Sequence, residues 1–247
     1  MRILAATAAF LALSCAAASA EGLCEGYGPQ APRDITAPAG ANPIGFAVAP
    51  GPAEMKLCNI HGHTPAEHRG PGFLKLAPTG AGYDCDAQLS GAELMPMAGK
   101  FSGVKPGDAF EVHWVFTSCD VGPGPGLEAC SSAACANPQL RVEAQVFLLV
   151  NDPSAAHIQD FDWAGGAPQP KSLPRGETVV YSGSTTGPKY SENACSPLQV
   201  TWSVRPGCVK LHIGSLHEWA ETNAFEENHA HGVRPLVTAR PLLSSMK

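Results

Sequence analysis

The sequence contains no cluster of basic residues, no internal repeat and no low-complexity tail. It has 16 Lys and Arg residues against 22 Asp and Glu residues, which gives a formal net charge of −6. Because nucleic-acid binding depends on basic patches, a nucleic-acid partner is not expected. Beyond the first residues there is no apolar run near the ~20 residues that a membrane-spanning helix needs. The sequence therefore predicts neither a nucleic-acid-binding protein nor a membrane-spanning one.

The first 20 residues have the pattern of a secretory signal peptide, which is removed from the mature protein. Arg2 precedes a short apolar run, and Ala-Ser-Ala at residues 18–20 forms a cleavage site of the A-x-A type. Residues 21–247 are then predicted to form one exported domain, periplasmic or secreted. Residues 12–15 form an imperfect lipobox, so a lipid anchor at Cys15 is the less favoured alternative.

No two cysteines have the CxxC spacing, which argues against a cysteine-ligated zinc. Of the nine cysteines, eight remain once Cys15 is removed with the leader. An even number in an exported chain predicts disulfides formed in an oxidising compartment, although the sequence does not choose their pairing. The eight are Cys24, Cys58, Cys85, Cys119, Cys130, Cys135, Cys195 and Cys208.

Short apolar runs separated by frequent glycine and proline (26 and 23 residues) predict a mainly β fold in a single domain. One short helix is expected near residues 214–224, and residues 121–138 are expected to form a cysteine-stapled loop. Strands are predicted over residues 57–63, 109–118, 140–150, 178–182, 198–204, 208–213 and 233–238.

The clearest strand prediction is the one over residues 109–118, where two kinds of side chain alternate. Side chains two apart in a strand share a face, so Glu111 and His113 lie on the same side. The opposite face is apolar and consists of Phe110, Val112, Trp114 and Phe116.

Three histidines form a candidate metal site. His61 and His63 are two apart on a predicted strand, so their rings lie on one face, about 6.5–7 Å apart along the backbone. His113, from a neighbouring strand, would complete a set of three imidazole ligands with one open position. That arrangement is typical of a catalytic rather than a structural zinc.

Two of these histidines have a hydrogen-bonding side chain two residues before them, on the same face. Glu111 precedes His113, and Asn59 precedes His61. An acceptor beside a ligand histidine fixes its tautomer and raises its basicity. The alternative is that Glu111 and His113 belong to a plain solvent-exposed face.

The mature chain resembles the delta-class carbonic anhydrases. The matching segments are Cys-Asn-Ile-His-Gly-His at 58–63, Ala-Glu-His at 66–68, Lys-Pro-Gly-Asp at 105–108 leading to Glu-Val-His-Trp at 111–114, and Gly-Ser-Thr-Thr-Gly-Pro-Lys-Tyr at 183–190. The same elements, with Val-Thr-Trp at 200–202, are also similar to the alpha class in the same order. This second resemblance implies a central, mostly antiparallel sheet with few short helices.

The resemblance implies zinc-dependent hydration of carbon dioxide to bicarbonate and a proton by a zinc-bound hydroxide. Zinc would be held by His61, His63 and His113, and Co²⁺ would fit the same ligands. Asn59 and Glu111 would support these ligands through hydrogen bonds.

Roles for three further residues follow from the same resemblance. Thr185 would accept the proton of the zinc-bound hydroxide and donate its own to Glu67, and Thr186 would lie beside the carbon dioxide pocket. The resemblance assigns no proton shuttle; His68 is one candidate near the cavity mouth, and the sequence does not choose between it and another residue. The chain departs from the expected pattern at Gly62, where a bulky residue is expected between the two histidines.

Two other functions compete with this interpretation. The His61-x-His63 pair with Glu67 also resembles the metal motifs of cupins, a class that includes oxygenases and isomerases. In a site of that kind Glu67 would be a fourth metal ligand. The Asn expected after the last histidine of a cupin is missing, because Val115 and its neighbours follow. The second competitor is a non-catalytic exported zinc-binding domain.

The remaining histidines do not belong to a comparable pattern of ligands and supporting side chains. His229 and His231 form a second HxH pair in a polar segment and are interpreted as solvated or structural. His157, His212 and His217 are interpreted as structural.

Overall fold

A computed structural model describes residues 29–37, 40–184, 194–233 and 237–245. Several sequence predictions lie outside these described residues: the signal peptide at 1–20, Cys15, Cys24, Thr185 and Thr186.

The described residues form strands β1 (Lys56–His63), β2 (Lys75–Leu76), β3 (Tyr83–Asp84), β4 (Ala109–Thr117), β5 (Leu140–Val150), β6 (Val179–Ser184) and β7 (Gln199–His212), and helix α1 (Ile213–Thr222). Five of the strands make one central sheet in the order β1-β4-β5-β7-β6, and β2 pairs with β3. Neighbouring strands of the central sheet are antiparallel except β5 and β7. The predicted mainly β fold, with a mostly antiparallel central sheet and a short helix near 214–224, is confirmed.

Strand β7 is longer than predicted because it continues through a proline. Two separate strands, 198–204 and 208–213, were expected on either side of Pro206 and Gly207. Instead, Gln145 of β5 pairs with Arg205, and the next residue of β5 pairs with Cys208, so two residues bulge out of the ladder. The bulge tolerates the missing N–H of the proline. Of the predicted strand 233–238, residues 233, 237 and 238 are described and lie outside any strand.

The predicted alternation along β4 places its two faces in two separate cores. The apolar face of β4 packs with α1 in one buried cluster, in which Trp114 has no exposed surface. On the opposite face, Val115 belongs to a second cluster with residues of β5 and β7. Burial of a large apolar side chain contributes about 2–3 kcal/mol. Both faces of β4 are therefore covered, and the polar residues of its second face lie inside the protein.

Three disulfides link the described residues: Cys58–Cys130, Cys85–Cys208 and Cys119–Cys135. Cys195 is disulfide-bonded as well. Two of the links hold the loop predicted at 121–138, which is confirmed as a cysteine-stapled segment. Disulfides indicate an oxidising compartment. Within the described ranges, no helix has the length and apolar character required to cross a bilayer.

Candidate metal centre

The pairing of β1 with β4 brings the three predicted histidines together. His61 lies directly opposite His113 in the antiparallel ladder, and His63 follows two residues later on the same face. The ring centroids are 5.1 Å apart for His61 and His63, 5.1 Å for His61 and His113, and 4.9 Å for His63 and His113. One nitrogen from each ring lies within 4.8 Å of the others. The three side chains can therefore direct nitrogens to a common point.

Hydrogen bonds leave one ring nitrogen of His61 and one of His113 free to bind an ion. Asn59 Oδ1 lies 2.7 Å from His61 Nδ1, and Glu111 Oε1 lies 3.0 Å from His113 Nε2. These oxygens accept, so Nδ1 of His61 and Nε2 of His113 carry the protons. The remaining nitrogens, His61 Nε2 and His113 Nδ1, are only 3.3 Å apart. Two unprotonated nitrogens at that distance repel each other unless a cation binds both, so the donor set fits a metal ion.

Burial keeps the two β1 histidines neutral. Burial, with the charge of the neighbouring histidines, lowers the pKa of His61 well below 6.5. Burial also lowers the pKa of His63, to about 4. Since a metal binds the neutral imidazole, neither ring must lose a proton at neutral pH. Three imidazoles match the ligand set of catalytic zinc.

Glu111 lies beneath the cluster and accepts three hydrogen bonds. They come from His113 Nε2, from the backbone N–H of His68 at 2.9 Å and from His68 Nδ1 at 2.5 Å. Burial by itself would raise the pKa of Glu111, but His68 and His113 lower it well below its usual value. Glu111 and His113 are 0 % and 2 % exposed, so the alternative of a solvent-exposed face is wrong.

His68 does not lie at the mouth of the site. It is fully buried, with Nδ1 on Glu111 and Nε2 2.7 Å from the Tyr181 hydroxyl. A histidine in this position supports Glu111 and has no surface through which to pass a proton to solvent. Although His68, Glu111 and His113 are also close enough to hold an ion, their hydrogen bonds to one another make them part of the same network.

Glu67 lies beside the cluster and contacts a buried arginine. Its Oε2 is 3.0 Å from Arg33 Nη2, and its Oε1 is 3.6 Å from His63 Nδ1. The side chain of Glu67 is only 2 % exposed. A buried carboxylate with an arginine partner is stabilised in its charged form.

A cavity of about 440 Å³ opens over the three histidines. Its wall contains both apolar and polar side chains. The apolar residues of the wall are Val115, Leu127, Leu140, Val142, Val200 and Trp202. The polar residues of the wall include Glu67, Glu128, Glu227 and His231.

Two polar residues of the wall, His231 and Glu227, were not recognised from the sequence. His231 pairs with His63 at the end of β1, and its ring centroid is 5.6 Å from that of His63. Its Nε2 lies 3.1 Å from Glu227 Oε1, and this hydrogen bond raises the pKa of His231. The interpretation of the second HxH pair as solvated or structural fits the exposed His229 and the hydrogen-bonded His231, but it did not place His231 at the cavity. The glutamate four residues before His231 was the available signal.

One comparison with known proteins identifies a family. A family model described as delta carbonic anhydrase matches residues 52–215. Among solved structures, the Photobacterium profundum alpha-carbonic anhydrase is similar, with 15% sequence identity over 85% of this chain and 87% of that chain, at a TM-score of 0.33. A comparison with curated proteins gives no match.

Proposed function

Because the chain belongs to the delta carbonic anhydrase family, we propose that it catalyses the reversible hydration of carbon dioxide to bicarbonate and a proton, with zinc bound by His61, His63 and His113. One observation carries the proposal: ring nitrogens from two neighbouring strands converge at the wall of a cavity that is lined by both apolar and polar side chains.

The ligand set suits an ion that must activate water. When bound, zinc makes the water that it holds a stronger acid and supplies a nucleophile near neutral pH, an effect for which carbonic anhydrases are themselves the reference case. Because the three imidazoles are neutral, they leave the ion its full charge. Asn59 and Glu111 accept the outer N–H groups of His61 and His113, which fixes the rings and strengthens them as donors.

The apolar residues of the cavity wall suit carbon dioxide, which has no hydrogen-bond donor and no net charge. Val115, Val142 and Trp202 are among them, and the Trp202 ring centroid is 5.2 Å from that of His113. These side chains offer a small apolar molecule a place beside the metal ligands that does not favour ordered water. Thr186 is assigned to the edge of this pocket by the family resemblance and lies outside the described residues.

Glu67 is assigned the role of proton acceptor for a hydroxyl group. It would accept the proton of Thr185, which leaves the hydroxyl oxygen of Thr185 as an acceptor facing the reacting oxygen. The ion pair of Glu67 with Arg33 supports this role, because it favours the charged carboxylate that can accept a proton. Thr185 itself lies outside the described residues.

The product proton must leave along polar residues of the cavity wall. His68 is fully buried, so it is not assigned the part of proton shuttle. Glu227 and His231 are polar residues of the cavity wall and are hydrogen-bonded to each other, which makes this pair the favoured exit route.

The cupin alternative requires Glu67 as a metal ligand. Glu67 instead binds Arg33 and is in neither group of side chains close enough to hold an ion. X-ray absorption of the zinc-loaded protein tests the difference directly. Three nitrogens and a water oxygen are expected, whereas a carboxylate oxygen from Glu67 would support the cupin-like site.

Stopped-flow measurement of carbon dioxide hydration, with zinc content determined on the same sample, tests the function. His113→Ala should lose both the metal and the activity, while the control His157→Ala should keep both, since His157 lies outside the cluster. A rate at buffer background with one zinc bound per chain would favour the non-catalytic zinc-binding alternative. Full metal content in His113→Ala would show that the ligands are assigned wrongly.

A further inference from the structure

A second pair of histidines, His229 and His231, lies at the edge of the cavity and beyond the family match, which ends at residue 215. The ring of His231 lines the cavity, whereas His229 is exposed to solvent. Their ring centroids are 4.8 Å apart, and the ring planes are inclined at 50° to each other. The pair is separate from the three-histidine centre formed by His61, His63 and His113.

The distance between the two rings is that expected of two imidazoles bound to one ion. With metal–nitrogen bonds of about 2.0–2.1 Å at roughly 90–110° to each other, the ring centroids lie roughly 4.5–5.2 Å apart. The three ring pairs of the three-histidine centre fall in this range, at 4.9 and 5.1 Å. His231 is 5.6 Å from both His61 and His63, which is outside the range. Its ring is therefore spaced to share an ion with His229 rather than with the three-histidine centre.

Each ring of the pair has a hydrogen-bond acceptor on its outer nitrogen. Asn228 Oδ1 lies 3.2 Å from His229 Nδ1, and Glu227 Oε1 lies 3.1 Å from His231 Nε2. Both oxygens accept, so in the neutral rings His229 Nε2 and His231 Nδ1 keep their lone pairs. An amide and a carboxylate support two ligands of the three-histidine centre in the same way. Such an acceptor accompanies almost every metal-binding histidine.

The backbone between the two histidines is held on both sides. The N–H of His231 donates to the carbonyl of Gly62 at 2.8 Å, and the N–H of Ala230 donates to the carbonyl of Ser102 at 3.0 Å. His229 and His231 are thus two apart in a paired, strand-like segment, where their side chains share a face. An ion finds both rings already on one side of the chain.

We propose that His229 and His231 form a second, weaker binding site for Zn²⁺ at the edge of the cavity. Imidazole nitrogen also suits Cu²⁺ and Ni²⁺, so the chemical class of the ligand is a divalent transition-metal ion. The protein supplies two ligands, and water completes the coordination, so this site binds less tightly than the three-histidine centre. An ion on His231 occupies part of the assigned proton exit route, which is the only point at which the inference touches the proposed function.

Protons compete with the metal at this site. The hydrogen bond with Glu227 raises the pKa of His231, so at acidic pH a proton on Nδ1 must be displaced before the ion can bind. The binding measurements are therefore made at mildly alkaline pH.

Calorimetric titration of the metal-free full chain with zinc tests the number of sites. The wild type should bind one ion tightly and a second ion more weakly. His229→Gln and His231→Gln should each lose the weaker ion and keep the tighter one, whereas His113→Ala should lose the tighter ion and keep the weaker one. His157→Gln is the matched control and should keep both, because the His157 ring lies 5.5 Å from that of His212, outside the range for a shared ion.

Long-range ¹H–¹⁵N correlations of the ¹⁵N-labelled full chain show which atoms bind the second ion. Once the first equivalent of zinc is bound, a second equivalent should shift the resonances of His229 Nε2 and His231 Nδ1, while His231 Nε2 remains protonated. Glu227→Ala removes the acceptor behind His231 but neither ligand, and it should weaken the second ion roughly 10-fold.

The proposal is overturned if no bound zinc is lost in His229→Gln and in His231→Gln. It is also overturned if the ion that depends on these residues binds only at millimolar zinc, because that is the behaviour of adventitious surface binding. None of these measurements uses carbon dioxide, and His113→Ala reports on the three-histidine centre separately. Failure of this proposal and failure of the proposed function are therefore distinguishable.

Discussion

Gly62 and Phe110 fit against each other across β1 and β4, so closely that a Cβ atom on residue 62 would lie 2.0 Å from Phe110 Cζ. Gly62 lies between His61 and His63, so its missing side chain would point to the opposite face of the sheet. The phenylalanine ring fills that space within the apolar core. The absence of a bulky residue between the two histidines therefore belongs to the core and leaves the cavity wall unchanged.

Gly62→Ala should destabilise the protein, because the Phe110 ring must move to make room for a methyl group. Overpacking of this kind costs roughly 1–3 kcal/mol. The additional change Phe110→Leu should recover part of the loss, which a double-mutant cycle from urea denaturation would measure.

Gly45→Ala is the matched control, since nothing lies within 4 Å of a Cβ atom at that position. It should leave the free energy of unfolding within a few tenths of a kcal/mol, roughly the effect of an ordinary surface change. If Gly62→Ala proves as neutral as the control, the close approach of Phe110 has no energetic consequence and the account of Gly62 is wrong.

Asn59→Ala should weaken zinc binding without removing any ligand. Its Oδ1 accepts from His61 Nδ1, and its Nδ2 donates to the carbonyl of Gly124 at 3.1 Å, which fixes the orientation of the amide. Loss of such a supporting group typically lowers metal affinity roughly 10- to 100-fold. Competition with a chelator would measure the change.

Asn151→Ala is the matched control for Asn59→Ala, because it removes the same kind of side chain. The Asn151 amide also donates to a backbone carbonyl at 3.1 Å, that of Met95, but it lies outside the metal centre. Equal zinc affinity in the Asn59 and Asn151 variants would mean that the His61 ring is held in another way.

The residues on β1 and β4 were predictable because local periodicity fixes them. Once residues 109–118 are recognised as a strand, Glu111 and His113 must share a face, and His61 and His63 must do so on the neighbouring strand. These deductions need only the two-residue repeat. The disulfides of the loop at 121–138 were predictable for a similar reason, because composition alone indicates a cysteine-stapled segment, although it does not give the pairing.

Arg33 and His231 were not predictable in this way, because each reaches the site through pairing between distant parts of the chain. Arg33 is placed by backbone hydrogen bonds to Arg69, and His231 by a bridge to His63. No local pattern around residue 33 or 231 shows which strand it will join. The polar neighbours of His231 made it look like part of a solvated turn, although its ring faces the cavity.

The metal-free protein should lose stability as the pH falls from about 6.5 to about 4. Burial lowers the pKa of His63 from 6.5 to about 4 and shifts that of His61 in the same direction. Below 6.5 the unfolded chain therefore binds protons that the folded protein excludes. For His63 alone, the loss between pH 7.5 and pH 5 is about 2 kcal/mol.

Urea denaturation of the metal-free protein at a series of pH values would measure this dependence. His63→Gln should reduce the slope by about one proton, whereas His229→Gln, at an exposed position, should not change it. His231 opposes the trend, because its hydrogen bond with Glu227 raises its pKa and stabilises the protonated folded form at low pH. Stability that is constant from pH 7.5 to pH 5 in the wild type would show that the cluster is not held neutral by burial.

Removing the Cys58–Cys130 disulfide should affect stability and metal binding together, because this bond joins the strand that carries Asn59 to the loop that forms part of the cavity. The link closes a segment with a sequence separation of 72, and the Cys119–Cys135 link one of 16. Chain entropy then predicts losses of about 4 and about 3 kcal/mol for the two double alanine variants.

The two double alanine variants should have similar losses of stability but clearly different zinc affinities. The Gly124 N–H donates to the carbonyl of Cys58 at 3.0 Å, and the Gly124 carbonyl holds the amide of Asn59. Freeing this part of the loop loosens Asn59 and with it the His61 ring. The Cys119–Cys135 link instead joins the two ends of the loop and does not include the strand that carries Asn59. Chelator competition on both variants decides the matter: equal affinities would mean that the loop supports the fold but does not orient the metal ligand.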